Sequence, residues 1–364
     1  MNSLKPMLLS SLKSYDKSQF FKDVTAGIIV AIIALPLSIA LALASGVGPE
    51  AGIFTAIVAG FVISALGGSS VQIAGPTAAF ATIVAGIVAH DGMDGLIVAT
   101  ILAGIFLILM GLCHFGSLIK FIPFTITTGF TSGIAVTIVI GQLKDFFGLT
   151  YPTGVKPIET VEKFEAVIHH FSTMNVDAVI VGVVSLVILI IAPYIFKRIP
   201  GSLLAVIAGI LMVQFLPLKV NTIGNLYTIS NALPSLHFPS LSLNVIQNAL
   251  PNALTIAVLA AIESLLSCVV ADGMINGKHR SDMELVAQGA GNIASALFGG
   301  IPATGAIART AANIKNGGRT PIAGMVHAVV LLLILVSLMP LAKLIPMPAI
   351  AAILFMVAYN MSGW

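Results

Sequence analysis

Long apolar runs separated by short polar breaks dominate the chain, near residues 24–45, 50–66, 76–90, 95–113, 118–147, 178–196, 202–216, 247–271, 285–298, 303–314, 322–341 and 347–361. Several approach the roughly 20 residues that a helix needs to cross a bilayer. The pattern predicts an all-α chain with about twelve membrane segments. The third and tenth runs are too short to cross as ideal helices, and each follows a Gly-Gly break and an extended approach, so both are expected to be half-helices. The run 118–147 contains Pro123 and exceeds one crossing, which predicts a kink or tilt. Residues 1–22 are polar and Lys-bearing, so no cleavable signal peptide is expected.

Two of the breaks carry nearly the same wording: ISALGGSSVQIAGPTAAFAT at 63–82 and IASALFGGIPATGAIARTAA at 293–312. KFIPFTITTGFTSGIAV, from Lys120, likewise resembles KLIPMPAIAAILFMVAY, from Lys343. Aligning the halves pairs the fifth run with the twelfth and the first with the eighth. The odd number of runs from one landmark to its partner turns the second copy over. Interrupted hydrophobic segments at matching positions of two such halves are the best sequence pointer to a midplane binding site. The sixth and seventh runs find no counterpart after residue 361, so either the sequence is truncated or the second half lacks two helices that the first half possesses.

Composition agrees. Of 364 residues 58% are apolar and only 9% charged, and the mean hydropathy is +1.07, which indicates a polytopic membrane protein. The net charge of +3 is scattered, so no nucleic-acid partner is expected. With the N-terminus inside, eleven Lys and Arg fall on the inner side and five on the outer, which predicts a multi-pass protein of the inner (plasma) membrane with a cytoplasmic N-terminus. The linkers 148–177 and 217–246 then face out, the first with an amphipathic stretch, VEKFEAVIHHF, suited to the interface. Cys113 and Cys268 lie in or beside apolar runs, and two buried thiols are expected rather than a disulfide. No metal-ligand spacing, nucleophile elbow or Walker loop occurs, so neither a metal, a cofactor, an enzymatic activity nor ATP-driven transport is expected.

The chemistry concentrates at the two breaks. Half-helices beginning at Pro76 and Pro302 would point their N-termini at each other, and each N-terminus offers unpaired N–H groups and about half a positive charge. Facing ends make an anion site. Pro is expected in the first turn of each, where its missing N–H costs nothing. Thr77, Ala78 and Ala79, with Thr304, Gly305 and Ala306, leave room for an anion to reach the backbone, and Phe80 is a candidate aromatic wall. Arg309, expected about two turns into the second half-helix, adds a full positive charge. Glu263 interrupts VLAAIESLLSCVV and is the acid placed deepest in a run, so it should be protonated, paired with Arg309 or bound to a cation. Ser267, one turn along, offers an oxygen to Na⁺. Both are candidates for coupling to H⁺ or Na⁺. His327 is expected to be a satisfied packing histidine.

GGIPATGAIARTAANIKNGGRTPIAG, preceded by AIESLLSCVVADGMINGKHRSDMELVAQGAGNIASALFGG and, upstream, by ALPLSIALALASGVGPEAGIFTAIVAGFVISALGG with GPTAAFA, resembles the sulfate permease (SulP) family of anion transporters, relatives of the solute-carrier anion exchangers. The resemblance implies a seven-plus-seven inverted-repeat fold, a homodimer and a cytoplasmic STAS domain after the last span, the latter and the last two helices being absent here. The implied division is an N-terminal segment (1–22), core (23–115), gate (116–220), extracellular loop (221–246), second core part (247–342) and partial gate (343–364). Many sulfate-carrying relatives have Pro-Gln where this chain has Pro36-Leu37, so sulfate, bicarbonate and dicarboxylates stay open as cargo. Secondary active transport by alternating access is the expected function; an uncoupled anion channel and a nucleobase-type carrier are the alternatives.

Overall fold

The computed structural model describes residues 4–121, 124–197 and 199–361. Pro123 and Arg198 lie outside the described residues, and with Pro123 the kink expected there. The chain begins with a short helix α1 (Met7–Leu12), then α2 (Lys17–Ala44) and α3 (Pro49–Leu66). A two-residue strand β1 (Ala74–Gly75) leads into α4 (Ala78–Leu112), which is broken at Gly92, where φ is +73°. There follow α5 (Phe124–Phe147), α6 (Thr160–His169), α7 (Val176–Ile195), α8 (Gly201–Phe215) and a single turn, α9 (Ile223–Leu226). The second half comprises α10 (Leu243–Ile275), α11 (Ser281–Leu297), strand β2 (Thr304–Gly305), α12 (Ile307–Lys315), α13 (Ile322–Leu338) and α14 (Met347–Met361).

Among the described residues seven helices are long and apolar enough to cross a membrane, namely α2, α3, α4, α5, α7, α10 and α13, while α8 and α14 are apolar but shorter. Polar caps start several of them. Asp16 accepts from Gln19 N at 2.7 Å ahead of α2, and Ser242 from Val245 N at 3.3 Å ahead of α10. The amphipathic stretch at 160–169 does form a helix, α6, whereas α1 is an element that local pattern did not predict.

Small side chains decide how closely the helices approach. α4 packs along α10 and α11, α2 along α13, and α3 along both α11 and α13, while α5, α7, α8 and α14 pack on one another. Gly104 and Gly289 sit where α4 crosses α11: a Cβ on Gly289 would lie 2.4 Å from the Gly104 carbonyl oxygen. That is the small-residue packing expected where lipid, not water, surrounds the bundle. The large apolar side chains Ile190, Ile191 and Phe215 are left exposed on α7 and α8, as a lipid-facing surface requires. Cys268 is buried, but Cys113 is exposed, because it caps the end of α4 rather than lying within it.

Two ends of the bundle can be told apart by their contacts. At the end where α2 begins, Met7 N donates to Gly67 O at 2.9 Å and Arg280 N to Gly68 O at 2.8 Å. At the opposite end Ser230 N donates to Glu50 Oε1 at 3.0 Å, and His90 Nε2 lies 3.5 Å from Glu159 Oε1.

Candidate functional site

The two breaks meet. β1 and β2 pair antiparallel, Ala74 opposite Gly305 and Gly75 opposite Thr304, although some 230 residues separate them. Each strand runs straight into a helix start, with Thr77 as the N-cap of α4 and Ala306 as that of α12. Neither cap residue supplies a side-chain hydrogen bond to the first N–H groups of its helix. The helices start later than Pro76 and Pro302. Pro76 precedes the N-cap Thr77 and Pro302 lies four residues ahead of Ala306, so neither occupies a first turn. Strand pairing takes up the intervening residues and holds them extended.

That shift also moves Arg309. It is the third residue of α12, in the first turn rather than two turns in. Its side chain is fully buried; Nη1 donates to Pro76 O at 2.8 Å and Nη2 to Ser38 Oγ at 3.2 Å, while Nε has no partner. One guanidinium thus ties α2, the approach to α4 and α12 together. The contact is close: a Cβ on Gly75 would stand 2.5 Å from Arg309 Nη1.

Around the crossing, side chains from both halves hold the extended backbone. Ile73 N donates to Thr310 Oγ1 at 3.1 Å, and Asn313 Nδ2 to Val71 O at 2.9 Å. In the other direction Ile301 N donates to Thr55 Oγ1 at 2.8 Å. Asn292 clamps Ala303 from both sides, accepting from its N at 2.8 Å and donating to its O at 2.9 Å. Buried Glu284 accepts from Gly68 N and Ser69 N on one oxygen and from Gln72 Nε2 and Gln288 Nε2 on the other, at 2.8, 3.3, 2.7 and 2.9 Å. Extended backbone at membrane depth is tolerable only when its polar groups are met in this way.

The remaining predicted residues distribute as follows. Ala78, Ala79 and Phe80 form the first turn of α4 and are buried; Phe80 belongs to the apolar cluster shared by α4, α10 and α11. Thr77 Oγ1 is buried without a partner. Thr304 donates from Oγ1 to Ala260 O of α10 at 3.2 Å, and Gly305 lies so close to Gln72 that a Cβ would stand 2.2 Å from its Cδ. Glu263 follows Ala260 by less than one turn and is partly buried. It makes no hydrogen bond or ion pair among the described residues, so the pairing with Arg309 considered from sequence is not formed. Ser267 lies one turn further along, its Oγ buried and unpartnered. His327 is not the satisfied packing histidine expected, for neither ring nitrogen has a partner although the side chain is fully buried. Among the described residues no three His, Cys, Asp or Glu converge to hold a metal.

Ser38, Glu284, Asn292 and Thr310 were missed by sequence reasoning. Glu284, Gln288 and Asn292 recur every fourth position of α11, a polar stripe on one face of an otherwise apolar helix, and that periodicity was the available signal.

Two broken helices crossing inside a bundle of membrane-length apolar helices define a polytopic membrane protein of discontinuous-helix architecture. Residues 20–364 match the profile of the Sulfate permease family. YvdB of Bacillus subtilis (strain 168) is 45% identical over 356 residues, covering 96% of this chain and 66% of that protein. The bicarbonate transporter BicA of Picosynechococcus sp. is 33% identical over 353 residues, covering 94% and 62%. The solved transmembrane domain of a cyanobacterium bicarbonate transporter BicA superposes with a TM-score of 0.88 at 30% identity, over 96% of this chain and 90% of that one. The chain belongs to the sulfate permease family, and it spans less than two thirds of the length of these two curated relatives.

Proposed function

We propose that the protein carries a small anion, sulfate, bicarbonate or a dicarboxylate, across the membrane by secondary active transport with alternating access. The observation that carries this reading is the meeting of the α4 and α12 N-termini across β1 and β2, with the Arg309 guanidinium buried between them. Two helix ends and one guanidinium concentrate positive potential where water is scarce, which favours an anion and disfavours a neutral nucleobase. Thr77, Ala78, Ala79, Thr304, Gly305, Ala306 and Arg309 form the site, with Phe80 packed behind its first turn. Arg309 retains a buried Nε–H without a partner, and Thr77 an unmet Oγ1. In the movement, the core (23–115 and 247–342) shifts against the gate (116–220 and 343–364).

Glu263 and Ser267 are the coupling residues in this proposal. A carboxylate without a partner at this depth is costly when ionised, so binding H⁺ or Na⁺ stabilises the loaded site and links anion to cation. Ser267 Oγ, buried and unmet, is an oxygen ligand in reach of the same helix face.

Binding of sulfate, bicarbonate, fumarate and succinate to the purified protein, repeated with Arg309→Ala, tests the site; binding that survives the substitution refutes it. Glu263→Gln in sealed vesicles tests coupling, and cation uptake driven by substrate at the wild-type level refutes that role. Saturable uptake with trans-stimulation distinguishes a carrier from a channel, whose current rises linearly.

A further inference from the structure

A cleft lies beside each half-helix, one at the end of α12 and one within the first three turns of α4, and the two differ in size and charge. Where α12 ends, a cleft of about 640 Å³ is lined by Lys22, Lys315 and Arg319 together with Gln19, Ile29, Asn316 and Gly317, and by no acidic side chain. Where the first limb of α4 rises towards Gly92, a cleft of about 200 Å³ lies against Thr82 and Ala85 and carries Asp145, Glu159 and Lys163. One is wide and wholly cationic; the other is narrow and of mixed sign.

The cationic cleft has a fixed floor. Asp23, fully buried beneath it, accepts from Tyr15 Oη at 2.7 Å, Gln19 Nε2 at 2.9 Å and Arg319 N at 2.9 Å, and also from Thr320 Oγ1. Gln19 Nε2 donates as well to Gly317 O at 3.1 Å, tying the start of α2 to the loop after α12. Arg319 is held by bonds from Nη1 to Ile314 O and Gly318 O at 2.9 and 2.7 Å. Lys22 and Lys315 have no acidic partner among the described residues. With one buried carboxylate, Asp23, beneath three basic side chains, the cleft keeps a net positive charge that favours an anion.

An exposed strip of α12 runs from this cleft to the first turn of that helix. Ala308, Ala312 and Lys315 share one face of α12; Ala308 and Lys315 are exposed and Ala312 partly so. Six residues of helix set Lys315 about 9 Å along the axis from Arg309. The alanines leave the backbone of α12 lightly covered along this face.

On the reading given under Proposed function, we propose that the cleft is an anion-collecting antechamber. It is a weak oxyanion site at the end of the bundle where α2 begins, from which cargo passes along the alanine face of α12 to Arg309. The effect of Lys22 and Lys315 belongs to the face of the membrane on which they lie.

The test uses the full chain in right-side-out and inverted membrane vesicles, with initial rates of bicarbonate and sulfate uptake measured against ionic strength. From the face bearing the N-terminus, wild-type KM should rise with salt. Lys22→Gln with Lys315→Gln should raise KM at low salt by about 3- to 10-fold, flatten the salt dependence and leave kcat within about twofold. KM from the other face should not change. Lys22→Arg with Lys315→Arg should retain the salt dependence, which separates charge from folding. An unchanged salt slope in the Gln variant overturns the proposal, as does an effect seen only in vesicles rich in anionic phospholipid, which would assign the cleft to a lipid phosphate. Wild-type vesicles that take up neither of these anions, nor fumarate or succinate, refute the transport reading instead.

Discussion

Replacing Glu284 separates a carboxylate that builds the site from one that works in it. Its two oxygens accept four hydrogen bonds, two from backbone N–H groups of the Gly68–Ser69 break and two from the Gln72 and Gln288 amides. Glu284→Gln keeps one carbonyl oxygen for the backbone pair and turns an NH₂ towards the amides. Gln72 Oε1 and Gln288 Oε1 are buried without partners, so both amides can rotate to accept from it. The loss is the charge assistance alone, about 1–3 kcal/mol. Glu284→Ala strands two backbone donors and both amides in a site 1% exposed, and should cost about 3–5 kcal/mol. Thermal unfolding in detergent, followed by loss of the monodisperse peak, ranks the two. Anion binding measured below the unfolding range reports whether α4 keeps its start, and should weaken in the Ala variant more than in the Gln variant. If the Ala variant is as stable as the Gln variant, Glu284 does not anchor the approach to α4 and the reasoning fails.

Gly305→Ala pushes a Cβ to 2.2 Å from Gln72 Cδ and should spread the strand crossing, costing about 1–3 kcal/mol and weakening anion binding in titration calorimetry; unaltered binding contradicts the close approach. Asn292→Ala removes both partners of Ala303 at once and should cost about 1–3 kcal/mol for each orphaned backbone group; melting unchanged from wild type would count against the two-sided clamp. Burial, then the hydrogen bond to Asp23, pushes the Tyr15 hydroxyl up to about 12. A folded value above the roughly 10 of an unfolded chain means stabilisation that is complete below pH 10 and lost as pH rises through about 12; tyrosinate absorbance should lose a transition near pH 12 in Tyr15→Phe, and an unchanged titration curve refutes the contact.

What the sequence disclosed and what it hid divide along the range of the interactions. The breaks at Gly67–Gly68 and Gly299–Gly300 were legible because hydrophobic periodicity stops there within a few residues, and the resemblance of the two segments needed only comparison along the chain. The helix starts were misplaced because the register that fixes them, Ala74 against Gly305, is a pairing between distant segments that no local window contains. Arg309 was found as a buried cation, yet its depth in α12 was wrong for the same reason.

Partner count was the hidden quantity for the buried charges, and it separates their roles. Glu263 stands out in the sequence because it interrupts an apolar run, while Glu284 sits at the edge of one, in the first turn of α11, although it is the more deeply buried. Glu284 has four donors converging on it, so it is held by the fold and changing it costs stability. Glu263 has none among the described residues, so binding a cation or a proton there breaks no existing contact. Arg309 stands between, with both Nη atoms bonded and Nε unmet, held in place yet still able to donate. A charge that the scaffold has already satisfied can only hold the scaffold. In a membrane interior, where an unmet charge is costly, the groups left unmet are therefore the ones to test for work.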